Sequence, residues 1–225
     1  MSVFSYQWKD VLKRSKQSSA FGILLLCIFY LIGILGIAVF QFKDFILLTP
    51  FNLLVSLAII LYYHPTWNRH IVASLLLSFS FGFFIEAVGV NTGLIFGEYR
   101  YGQVLGWKIW DTPLMIGINW AMLIYSVGVT INRISRSEKW WLKAALGASM
   151  MLLLDILIEP VAIHYEFWTW EAVNVPLQNY ISWWLISYGL LAFFHFSDQK
   201  PTNKVATGLL VLQFVFFAIL LLSRG

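Results

Sequence analysis

Apolar residues run along the chain in seven blocks of 18 to 22 positions, 21–40, 45–62, 70–90, 112–132, 142–163, 178–196 and 204–222, with short polar breaks between them. At about 1.5 Å of rise per residue, each block is long enough to cross a hydrocarbon core of roughly 30 Å as an α-helix. The blocks are continuously apolar, whereas barrel strands alternate apolar and polar positions, so a β-barrel is excluded. The pattern therefore predicts an all-α, polytopic membrane protein of about seven transmembrane helices. Without an internal repeat, low-complexity tract or soluble appendage, residues 1–225 read as a single transmembrane domain.

Composition sharpens this picture. Sixty per cent apolar and 12% charged residues, with a mean hydropathy of +0.76, are far from a soluble domain, in which roughly a quarter of residues are charged. The first block follows basic residues (Lys9, Lys13, Arg14, Lys16) as a signal peptide would. Its apolar part is longer than a signal core, however, and Gln-Phe-Lys-Asp follows in place of a small-residue cleavage site. A retained helix is expected.

Lys and Arg accumulate in cytoplasmic loops. Summed over alternate loops, eleven of the fifteen fall with the amino-terminal tail, Arg69, Arg133, Arg136, Lys139, Lys143, Lys200 and Lys204, against Lys43, Arg100, Lys108 and Arg224 on the other side. The expectation is a cell inner-membrane protein with its N-terminus cytoplasmic and its C-terminus outside. The net charge of +4 then serves as a collar for anionic membrane lipids and calls for no nucleic acid. The acids do the reverse: only Asp10, Glu138 and Asp198 fall inside, while Asp44, Glu86, Glu98, Asp111, Asp155, Glu159, Glu166 and Glu171 fall in outer loops or the outer halves of spans.

Three of these acids lie in or at the margins of spans: Glu86 near the outer end of the third, and Asp155 and Glu159 in the fifth. A carboxylate near a helix centre costs roughly 2.5–3.5 kcal/mol on insertion scales, so such groups are retained for a reason. Asp155 and Glu159, at i and i+4, share one helix face. Two like charges there repel, which favours one neutral carboxyl able to donate a proton. The structural alternative is that the acids pair with Arg100, His164 or Asn119 and fasten helices together. Pro160 either bends the fifth helix beside the acids or marks its end. Thr112-Pro113 reads as an N-cap followed by proline at the first helical position, and Asn119-Trp120 lies two turns further in, at about the depth of Asp155. Asn119 either orients an acid or a water, or joins helices.

The third loop carries paired tyrosines, Tyr99 and Tyr101, and the fifth carries Trp168 and Trp170. Such residues are ordinary interfacial anchors, but crowded beside acids they also suit a carbocation, which aromatic faces stabilise by roughly 0.5–2 kcal/mol. Other chemistries find little support. Cys27 is the single cysteine, His64, His70, His164 and His195 form no H-E-x-x-H motif, no glycine-rich nucleotide motif is present, and no mid-span lysine is available for a retinal Schiff base.

The stretches E-A-V-G-V-N-T-G-L-I-F-G-E-Y-R-Y-G (from Glu86), P-L-M-I-G-I-N-W (to Trp120), D-I-L-I-E-P-V-A (from Asp155), W-T-W, V-P-L-Q-N-Y and W-W (to Trp184) resemble the carotenoid biosynthesis proteins of bacteria and archaea, a family that includes carotenoid hydratases. They cover somewhat under half the chain. The resemblance implies a carotenoid substrate with an acyclic ψ end group, addition of water to its terminal C1,C2 double bond, no cofactor or metal, and association with other carotenoid biosynthesis enzymes. It implies catalytic roles for Asp155, Glu159, Glu86 and Asn119, with Tyr99, Tyr101, Trp120, Trp168, Trp170 and Asn179 around the substrate. Two rivals remain. A lycopene-type carotenoid cyclase or other isoprenoid enzyme is one, the cyclase sharing the protonation step but closing a ring; the other, a small transporter or proton-coupled permease, would use the acids as relay groups and need polar residues through both membrane halves.

Overall fold

The computed structural model describes residues 18–197 and 200–223. Lys9, Asp10, Lys13, Arg14, Lys16, Asp198 and Arg224, which enter the charge comparison, lie outside the described residues. The seven apolar blocks each form a helix: α1 Ser19–Ile34, α2 Thr49–Tyr62, α3 Arg69–Thr92, α4 Leu114–Ile134, α5 Trp140–His164, α6 Leu177–His195 and α7 Lys204–Leu222. A π turn, Leu35–Val39, extends α1, and a 3-10 turn, Lys43–Leu48, leads into α2. With these extensions, α1 to α5 and α7 are long and apolar enough to cross a membrane. α6 matches α7 in length, but Gln178, Asn179, Ser182, Ser187 and His195 make it less apolar. Six helices thus qualify as spans where about seven were expected.

α4 sits at the centre, with nearly every residue from Trp120 to Ile131 buried. α3 packs along α4, α5 along α6, and α1 along α7. Pro160 does not end α5, which continues to His164 with the proline inside it. Thr112 is not an N-cap: Thr112–Pro113 (β3) pairs antiparallel with Lys108–Ile109 (β2), Pro113 takes the cap position, and the Thr112 hydroxyl donates to the Trp110 carbonyl.

A second ribbon positions the site. Tyr99–Tyr101 (β1) pairs antiparallel with Trp168–Trp170 (β4), Tyr99 opposite Trp170 and Tyr101 opposite Trp168. Side chains alternate across a strand, so Tyr-Arg-Tyr and Trp-Thr-Trp put four aromatic rings on one face and Arg100 and Thr169 on the other. The chain leaves β1 through Gly102, whose N–H donates to the Phe167 carbonyl. A Cβ at Gly102 would fall 1.9 Å from the Glu166 carbonyl oxygen, so only glycine lets the two backbones approach this closely.

The end of the bundle away from Glu86 and Glu159 is more polar than the hydropathy pattern implies. The Asn203 amide donates to the Tyr125 hydroxyl at 3.0 Å. Tyr125 and His64 Nδ1 lie 2.6 Å apart, and His64 Nε2 lies 2.8 Å from the Thr66 carbonyl. A carbonyl only accepts, so Nε2 carries the ring proton and Nδ1 accepts from Tyr125. These partners come from the loop between α2 and α3, from α4 and from the N-cap of α7, and they tie that end together.

Candidate functional site

Glu86, Asp155 and Glu159, from α3 and α5, are 3%, 1% and 2% exposed and line one small cavity of about 40 Å³. Glu86 Oε2 accepts from the Tyr99 hydroxyl at 2.6 Å and the Tyr101 hydroxyl at 2.8 Å, and its Oε1 accepts from Trp120 Nε1 at 3.1 Å. Glu159 Oε2 accepts from Trp168 Nε1 at 3.0 Å and Trp170 Nε1 at 3.1 Å. Each strand of the aromatic ribbon therefore serves one glutamate, the tyrosines Glu86 and the tryptophans Glu159. Asn179, in the first turn of α6, donates through Nδ2 to both Glu159 Oε1 at 3.2 Å and Asp155 Oδ2 at 3.1 Å.

The surrounding rings hold these donors in place. Tyr99 lies 5.0 Å from Trp170 and 5.4 Å from Tyr101 between ring centroids, and Trp120 stacks on Trp183 at 4.5 Å and 23°. Burial, together with the neighbouring Glu86 carboxyl, pushes the Tyr99 and Tyr101 phenols well above their ordinary value near 10. Both hydroxyls thus remain donors over any physiological pH. Among the described residues, no Lys, Arg or His lines the cavity. Arg100 points away from the ribbon's aromatic face and pairs with Glu171 at 2.5 Å, both well exposed, and His164 is exposed against the Tyr165 ring. The expectation that Arg100 or His164 fastens the acids is thus not met, because neutral N–H and O–H groups partner them instead.

Asn119 does not bond to an acid in any described contact, but lines the boundary between two spaces. Beside the small cavity lies an apolar one of about 320 Å³, and Ile116, Asn119, Ile158 and Trp168 line both. At most one layer of side chains separates the carboxyls from a space within the usual 300–1,000 Å³ range of small-molecule sites.

All ten residues singled out from the sequence meet here. Tyr99, Tyr101, Trp120, Trp168, Trp170 and Asn179, expected around the substrate, are the carboxyls' hydrogen-bond donors. Trp183 was not singled out, although the Trp183-Trp184 pair one turn after Asn179 was visible. The larger cavity's wall from α1, α2 and α7, including Tyr30, Asn52 and Gln213, was missed as well. Its signal was an amide or phenol inside an otherwise apolar block.

Bisanhydrobacterioruberin hydratase of Haloarcula japonica is 27% identical to the chain over 128 residues, which cover 54% of this chain and 43% of that protein. The match thus spans less than half of the relative's length. No solved structure matches the chain. The profile of the carotenoid biosynthesis protein family matches residues 46–225, a stretch that takes in every carboxyl, aromatic and amide of the site, and the chain belongs to that family.

Proposed function

We propose that the chain is a membrane carotenoid hydratase that adds water to the C1,C2 double bond of an acyclic ψ end group. One observation carries the reading: three buried carboxyls with unequal hydrogen-bonding, set against an apolar cavity. Three carboxyls with no cation among their cavity's lining residues do not all ionise in a low-dielectric interior. Glu86 and Glu159 each accept from three donors, the arrangement an ionised carboxylate requires. Asp155 shares a single donor, Asn179, with Glu159, and is the group left holding a proton.

In this mechanism the end group lies in the apolar cavity with its double bond at the Asn119 boundary. The Asp155 O–H bond breaks and its proton goes to C2, the π electrons form the C2–H bond, and a tertiary cation remains at C1. The Trp120 and Trp168 rings and the Glu86 carboxylate stabilise that charge. A water beside Asn119 donates a lone pair to C1 and loses a proton to Glu159. Proton exchange within the Asp155–Glu159 pair restores the starting state. Nothing is oxidised or reduced, so the reaction calls for no redox cofactor.

The same reading puts the N-terminus in the cytoplasm, the carboxyls toward the outer face of the inner membrane, and α6 in the bilayer as a seventh span with Asn179, Ser187 and His195 buried. A cyclase would share the first step but close a ring at constant mass. The test is expression in a lycopene-producing host with mass spectrometry of the pigments. Wild type yields pigment heavier by one water, while Asp155→Asn and Glu159→Gln yield none. Full hydration by both variants removes the assignment.

A further inference from the structure

The apolar cavity has a polar floor that this mechanism leaves unused. On each of three helices the deepest lining positions include a polar residue: Tyr30 on α1, Asn52 on α2 and Gln213 on α7. Tyr30 and Gln213 are each 4% exposed, and Ser56, one turn from Asn52, is 1% exposed. The Ser56, Asn52 and Gln213 side chains all reach the Tyr30 hydroxyl. Even so, Asn52 Oδ1 and Gln213 Oε1 have no hydrogen-bond partner among the described residues. Buried polar atoms are nearly always paired, so two orphan oxygens converging beside one apolar cavity mark a place for a ligand's polar group.

The helices set the depth of this floor. Ile37, Val161 and Leu220 pack together in one cluster and so fix a common level on α1, α5 and α7. Tyr30 and Gln213 lie seven residues before Ile37 and Leu220, and Asp155 lies six before Val161. At about 1.5 Å per residue, all three sit about 10 Å deeper. The floor is therefore level with Asp155, which lines the neighbouring small cavity.

We propose that Tyr30, Asn52 and Gln213 form a subsite that binds the hydroxyl group of an isoprenoid alcohol. The orphaned atoms are oxygens and demand a donor. An amide can also turn its N–H₂ inward, and a hydroxyl, both donor and acceptor, satisfies either orientation, whereas an ether or a hydrocarbon does not. That the alcohol is the hydrated product rests on the hydratase reading; the subsite itself does not. In the product a hydroxyl formed beside Asn119 enters the same cavity that the floor lines. The alkene has no group to offer there. The floor thus distinguishes product from substrate and holds the product longer.

The test uses purified full-length chain in detergent, with quenching of tryptophan fluorescence as the readout. The probes are the tertiary alcohol tetrahydromyrcenol and the alkane of the same skeleton. The alcohol should bind wild type about ten-fold tighter, the usual consequence of meeting otherwise unpaired buried groups. Gln213→Leu and Asn52→Leu should each bring the ratio close to one while leaving alkane binding unchanged, and Asp155→Asn should keep the wild-type ratio. Equal binding of the two probes by wild type, as expected if water alone satisfies the floor, overturns the proposal. So does a preference that survives both leucine variants, or failure of the alcohol to saturate. Loss of pigment hydration is read separately and bears only on the reaction.

Discussion

Trp168→Phe removes one N–H donor from Glu159 and puts a smaller ring at the edge of both cavities. Phenylalanine keeps an aromatic ring at the position, and the β1–β4 pairing is made by backbone atoms. The lost contact is the 3.0 Å bond from Nε1 to Glu159 Oε2, which leaves Trp170 and Asn179 as donors. A hydrogen bond to a charged group contributes about 1.5–3 kcal/mol, and each 1.4 kcal/mol is a factor of ten. If Glu159 must be a carboxylate to take the proton from water, the hydration rate in isolated membranes should fall by about 10- to 150-fold. A double-mutant cycle with Glu159→Gln, read by detergent-titrated unfolding, should give a coupling of about 1.5–3 kcal/mol. An unchanged rate, or additive effects on stability, would show that Trp168 does not act through Glu159.

Three further outcomes follow. Gly82→Ala would place a Cβ 2.4 Å from Trp120 Cγ; overpacking of this kind costs about 1–3 kcal/mol and should displace Trp120 from Glu86, lowering activity at least ten-fold, and wild-type activity would contradict that geometry. Arg100→Ala breaks a pair whose side chains are 76% and 52% exposed, so thermal stability and pigment yield should stay close to wild type, and a large loss would mean that Arg100 reaches the site. Tyr99 and Tyr101 ionise less readily folded than unfolded; their contribution to stability is complete below about pH 10 and lost as pH rises above it, so the unfolding midpoint in Tyr99→Phe/Tyr101→Phe should fall less steeply above pH 10 than in wild type, while parallel curves would refute the link.

How much of this was legible in the sequence depends on the range of the forces involved. Helix number was legible because each span satisfies its backbone hydrogen bonds locally, so continuous apolar length suffices. The Asp155–Glu159 pair was visible because i,i+4 spacing fixes a face in any helix. What periodicity could not show was pairing between distant segments. Tyr99-Arg100-Tyr101 and Trp168-Thr169-Trp170 each alternate over only three residues, too short to identify a strand, and their register is set by each other across 66 intervening residues. For the same reason Tyr99 and Tyr101 read as isolated aromatic walls and not as the donors that hold Glu86. Gln213 was hidden in a different way. In an apolar block one amide reads as tolerated polarity, and only the convergence of Tyr30, Asn52 and Ser56 from two other helices gives it meaning. Thr112 misled because an N-cap signature is local, while Thr112–Pro113 is claimed by Lys108–Ile109 in a turn that outcompetes the cap.

The central claim is that water, delivered to a cation made by Asp155, ends up in the pigment. Growing a lycopene-producing host that expresses the chain in heavy-oxygen water, then weighing the pigment, tests this most directly. The account predicts a pigment heavier by one water carrying the heavy oxygen, absent from the Asp155→Asn strain. A product of unchanged mass with a cyclic end group, or heavy oxygen incorporated equally by Asp155→Asn, would contradict it.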